Sequence, residues 1–158
     1  MKKVEKEICE HLGLEESLSD YIKHHPEDKD IINDIRFSPS VCLLRTDTYS
    51  FEIKRVMNLG HLVCHIKRVD DKPLKDDELT VIDRHAIGGI TYNHHDRIIG
   101  FDAAHSFCIV PFLYLSKYIP FDKSDKTYYS FNDFKQVVYD IADAFELDIL
   151  SEVPVLFD

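Results

Sequence analysis

The stretch from His85 to His105 holds the densest collection of residues in the chain that could do chemistry: His85, Gly88, Gly89, Thr91, Tyr92, Gly100, Asp102 and His105. Three of the five glycines fall within thirteen residues here. Adjacent glycines let the backbone adopt positive φ or come close to a ligand, and N–H groups exposed at such a turn can hold an anion. Thr91 adds a hydroxyl donor, Tyr92 a stacking face, and His85 and His105 a donor or a proton-transfer group. Asp102 and His105 stand three residues apart. If a strand ends near Asp102 and a turn follows, carboxylate and imidazole converge, giving an oriented general base with His85 as acid or electrostatic stabiliser. Candidate catalytic residues are therefore His85, Asp102 and His105, and candidate ligand-binding residues are His85, Gly88, Gly89, Thr91, Tyr92, Asp102 and His105. A purely structural role for the same residues, with Gly100 at a bulge and Asp102 capping a turn, stands beside these readings.

Several chemistries find no support. Two convergent side chains do not make a zinc centre, no H-E-x-x-H spacing is present, and neither a metal site nor a cofactor is expected. The G-x-S-x-G, P-loop and Rossmann glycine patterns are absent, which removes common hydrolase, kinase and dehydrogenase readings. His94-His95 beside Asp96, and His24-His25 before Pro26, read as solvated turns.

The elements around this stretch follow from the spacing of apolar residues. Val4, Ile8, Leu12, Leu18, Tyr21 and Ile22 recur at helical intervals, broken at Gly13, and Ile31, Ile32 and Ile35 allow a further short helix before Pro39. Tyr49, Phe51 and Ile53 alternate with polar residues and are followed, after Asn58-Leu59-Gly60, by a β-favouring run from His61 to Val69. That is a hairpin, in which Lys54 and Arg55, like Lys67 and Arg68, point to opposite faces. Leu79 to Ile82, Gly89 to Tyr92 and Arg97 to Phe101 read as short strands. Ser130 and Asp133 form a capping signal for a helix whose Phe131, Phe134, Val138, Ile141 and Phe145 share one face. The expected class is α+β: an antiparallel sheet of about four to six strands packed against a C-terminal helix, with N-terminal helices. One domain over 1–158 is expected, with a helical region to about residue 40 and the sheet and C-terminal helix beyond it.

A chain of 158 residues with 44% apolar and 30% charged content can bury a core without staples. Its formal net charge of -10 opposes duplex nucleic acid, although a local site could still hold a small anion. Cys9, Cys42, Cys64 and Cys108 form no C-x-x-C pair, so a reducing cytoplasmic location is expected. The most apolar run, Phe107 to Leu115, is too short to cross a membrane and contains Pro111, so no membrane partner is expected. A homo-oligomer is compatible with the sequence.

The succession FEIKRVMNLGHLVCHI, HAIGGITY, IIGFDAAH and YYSFNDFKQVVYDIADAF resembles a family of small phage-encoded proteins of unassigned chemistry. Their pattern is His-Gly-Gly-(Ile/Leu)-Thr-(Phe/Tyr), then Gly-Phe-Asp-x-Ala-His. It falls on Gly88, Gly89, Ile90, Thr91 and Tyr92, then on Gly100, Phe101, Asp102, Ala104 and His105, within a span from Tyr49 to Phe145. The first histidine would be His85, with Ala86 and Ile87 intervening, and Ser106-Phe107 stand where the family has Gly-Asp. The resemblance implies a phage-type counter-defence protein in the host cytoplasm that binds or sequesters a small, anionic, nucleotide-like immune signal. The alternatives are a phosphodiesterase-like hydrolase using the Asp/His residues, and an acidic inhibitor that binds a basic host protein.

Overall fold

A computed structural model describes residues 3–14, 17–116 and 125–155. The N-terminal apolar spacing becomes helices α1 (Lys3–Leu12), α2 (Leu18–His24) and α3 (Lys29–Phe37), with a 3₁₀ turn at Pro26–Asp28. Gly13 ends α1 with φ of 66°, and the Ser17 hydroxyl caps α2 by accepting from the Asp20 N–H at 3.2 Å. Their apolar faces, including Ile8, Leu12, Tyr21, Ile32 and Ile35, form a core with Phe112 and Leu115 of α5 (Pro111–Leu115).

The remainder is a six-stranded antiparallel sheet of β1 (Val41–Arg45), β2 (Tyr49–Arg55), β3 (Leu62–Arg68), β4 (Tyr92–His94), β5 (Ile98–Asp102) and β6 (Ser151–Val155), in the order β4-β5-β3-β2-β1-β6. Helices α4 (Asp76–His85) and α6 (Phe131–Ala144) pack together, and α6 lies on β2 and β3. Phe134, Val138 and Ile141 of α6 are fully buried, so the C-terminal helix seats against the sheet as its stripe requires. The fold is thus α+β, with the expected sheet, C-terminal helix and N-terminal helices.

Three differences from expectation have physical causes. Leu79 to Ile82 lies inside α4 rather than in a strand: acids Asp76, Asp77 and Glu78 occupy the first turn, and the Glu78 carboxylate accepts the Lys75 N–H at 2.9 Å. The helix start therefore satisfies its own donors and complements its dipole, which outweighs the β-favouring run that follows. Residues 89–91 form a loop, and pairing begins only at Tyr92. Strands β1 and β6 were not expected; β6 contains Pro154, which an edge position tolerates because one side of the strand needs no N–H donor.

One buried polar node joins the two cores. Arg55, only 4% exposed, sends Nη2 to Asp34 Oδ2 at 3.0 Å and Nη1 to the Gly60 carbonyl at 2.8 Å. Asp34 also accepts from the Tyr128 hydroxyl and, at 3.1 Å, from the Phe131 N–H at the start of α6. A buried guanidinium persists here because its charge is paired and its donors are used. Among the described residues no helix is long and apolar enough to cross a membrane.

Candidate functional site

Register decides which side chains share a surface, because directly opposed residues of an antiparallel pair point the same way. Cys42, Leu44, Phe51, Ile53, Cys64, Ile66, Ile99 and Phe101 are buried on the helix side. The residues between them form the other face, where Leu43 is 41%, Tyr92 47% and Val153 52% exposed. One row across it reads Val153, Leu43, Glu52, His65, Gly100, Tyr92.

Gly100 makes this row into a site. A methyl group added there would lie 2.8 Å from His65 Cδ2 and 2.8 Å from the Cys64 carbonyl, so the imidazole rests directly over the glycine. On the neighbouring strand the Tyr92 ring stands 5.4 Å from the His65 ring at an interplanar angle of 57°. His65 thus covers the buried glycine, and Tyr92 stands beside it on the next strand. Glu52 lies on the far side of His65, with Oε1 3.8 Å from Nδ1.

Where β5 leaves the sheet, Asp102 gathers the rest. Its Oδ2 accepts from the Thr91 hydroxyl at 2.8 Å and its Oδ1 from the Ala104 N–H at 2.9 Å, while the Thr91 N–H donates to the Gly100 carbonyl at 2.9 Å. His105 Nε2 is 4.0 Å from Asp102 Oδ1, outside hydrogen-bond range. The His105 ring stacks on Phe107 with centroids 5.1 Å apart and planes within 3°. Its edge meets Gly88, where an added methyl would stand 2.5 Å from Nε2.

The glycine loop is therefore built for close approach by the chain itself. Gly88 and Gly89 both have positive φ, 70° and 83°. The Gly89 N–H donates to the Ala86 carbonyl at 3.1 Å, and the Ile90 N–H to Asp83 Oδ1 at 2.8 Å. The place where an anion would meet these donors already holds a carboxylate. His85 closes α4, and its side chain makes no hydrogen bond, ion pair or ring contact among the described residues. Thr91, Asp102 and His105 gather where β5 leaves the sheet, with Gly88 against the His105 ring; Tyr92 stands instead beside His65 on the open face, and Gly89 faces Asp83.

Comparisons with known proteins find no matching family model, no matching curated protein and no matching solved structure.

Sequence reasoning passed over His61 and His65. His61 immediately precedes β3 and is 9% exposed; burial pushes its pKa below the ordinary histidine value, the nearby Asp102 opposes that shift and Arg55 adds to it. His61 Nδ1 and His105 Nε2 are both buried without a hydrogen-bond partner among the described residues. An unsatisfied buried polar atom costs about 1–3 kcal/mol, so these two imidazoles each carry a local cost beside Asp102. Alternation along the hairpin places His65 on the same face as Glu52 and Lys67, away from the core, but does not mark it among the other outward residues.

Proposed function

We propose that the protein binds a small nucleotide-like ligand on the open face of its sheet. A base lies against Tyr92 and His65 above Gly100, with its polar edge turned toward Thr91, Asp102 and His105. The observation that carries this reading is the aromatic pair on an uncovered sheet face with a glycine between its members, since base stacking on such platforms accepts any base. Sequestration of a nucleotide immune signal by a phage-encoded protein is the biological form that the motif resemblance favours. Hydrolysis through Asp102 and His105 is less well supported: the 4.0 Å separation leaves the imidazole without the hydrogen bond that would orient it as a base.

The test is incubation of the protein with cyclic and linear nucleotides, ultrafiltration, denaturation and chromatography of what is released. Intact ligand is the expected result; converted ligand would favour the hydrolase instead. Tyr92→Ala should weaken binding by roughly 5–150-fold, the equivalent of about 1–3 kcal/mol for one stacked base. Unchanged affinity in that variant would refute the stacking site, and no retention of any nucleotide would leave the acidic, protein-binding reading.

A further inference from the structure

We infer that the ligand is a nucleoside phosphate whose phosphate sits over Ser50, between Arg45 and Lys67. This rests on the base-stacking reading above and adds where the anion lies. A second row across the open face reads Arg45, Ser50, Lys67, fixed by the pairing of Arg45 with Ser50 and of Ser50 with Lys67. All three point away from the core because Leu44, Phe51 and Ile66 beside them are buried. A hydroxyl is thus flanked by a guanidinium and an ammonium on the two neighbouring strands, an arrangement that satisfies phosphate oxygens from both sides.

Neither cation is committed elsewhere in a way that would compete. Arg45 is exposed and forms no ion pair among the described residues. Lys67 Nζ lies 3.6 Å from Asp71 Oδ1, but the two side chains are 51% and 80% exposed, and such a pair is weak enough to exchange.

The two rows are joined by a concavity of about 300 Å³, whose lining includes Ser50, Glu52, His65, Lys67 and Ile98. From His65 to Ser50 is one strand across and two residues along, about 8 Å on ordinary sheet spacings, which suits a sugar between base and phosphate. Glu52 faces that middle position, where a carboxylate accepts from ribose hydroxyls and repels phosphate toward the cations. The glycine loop offers no rival seat, since its Gly89 and Ile90 N–H groups donate within the chain and Asp83 occupies its mouth.

Calorimetric titration with adenosine, AMP, guanosine and GMP tests this on wild type, on Tyr92→Ala and on an Arg45→Ala/Lys67→Ala double variant checked for unchanged unfolding. At least one monophosphate should bind roughly tenfold to a hundredfold more tightly than its nucleoside. The double variant should erase that advantage while nucleoside affinity stays as in wild type. A nucleoside that binds as tightly as its monophosphate, or a phosphate advantage that survives in the double variant, overturns the inference. The base-stacking reading would stand in either case if Tyr92→Ala still weakens the nucleoside. Failure of all four probes to bind overturns both.

Discussion

Substituting Gly88 by Ala probes directly what the glycine pair does. At φ of 70° an L-residue is in the left-handed region, which costs roughly 1–2 kcal/mol. The added methyl would also stand 2.5 Å from His105 Nε2, closer than real contacts allow. The imidazole must then slide off Phe107, losing a stacked pair worth about 0.5–1.5 kcal/mol. The single variant should therefore lose about 1.5–3.5 kcal/mol in all. In a His105→Ala background the clash is gone, and the same glycine substitution should cost only the roughly 1–2 kcal/mol of backbone strain. Urea unfolding of wild type, both single variants and the double variant, with slopes compared as well as midpoints, closes the cycle. If Gly88→Ala costs the same in both backgrounds within about 0.5 kcal/mol, Gly88 is not there to seat His105.

Two further outcomes test the frame around the site. Phe134→Ala should lose about 3–5 kcal/mol, because the side chain is fully buried and its ring lies 5.3 Å from that of Phe101; a loss under about 1 kcal/mol in the same unfolding assay would contradict the packing of α6 on the sheet. His61, held below its ordinary value of 6.5 chiefly by burial, takes up its proton more readily in the unfolded chain. Its contribution is therefore complete above that value and is lost as pH falls through it toward the lower folded pKa, so His61→Gln should flatten this part of the stability profile; coincident slopes for variant and wild type would sink the assignment.

Legibility in the sequence depended on whether a segment's period was decided locally. Tyr49, Phe51 and Ile53 alternate strictly and their strand is where alternation puts it, as is the helix begun by Ser130 and Asp133, whose hydroxyl and carboxylate each accept the other residue's N–H, at 3.1 and 2.9 Å. Leu79 to Ile82 misled because four residues are too few to show a period, and the deciding groups, Asp76 to Glu78, lie before them. Strand β6 depends on pairing with β1, more than a hundred residues earlier, which no local pattern of Ser151–Val155 reveals. Within the site, Thr91 and Asp102 were legible as polar residues at a strand end. Their partnership was not, because it needs the β4–β5 pairing of Tyr92 with Gly100, which brings the Thr91 N–H to the Gly100 carbonyl and its hydroxyl to Asp102. His65 was hidden for another reason: a histidine within a strand looks like any polar outward residue until Gly100 and Tyr92 are brought to it from the other side of the sheet.

Net charge sums over surfaces that never meet one ligand, which is why it opposes a duplex without excluding a small anion. The chain carries -10 overall, yet the outward residues of its strands include Arg45, Lys54 and Lys67 against Glu52 and Asp102, so cations outnumber carboxylates on that face. Arg55 and Arg68, adjacent to Lys54 and Lys67, turn to the other side and are held by Asp34 and by Glu78 and Asp70. Alternation thus separates two kinds of cation: those on the helix side are locked in ion pairs that fasten elements together, while Arg45 and Lys67 stand on the face that no helix covers. Acids elsewhere on the surface would repel a long polyanion, whose many phosphates must pass over them. The proposed nucleoside phosphate meets only the open face, so the charge that opposes a long polyanion does not oppose it.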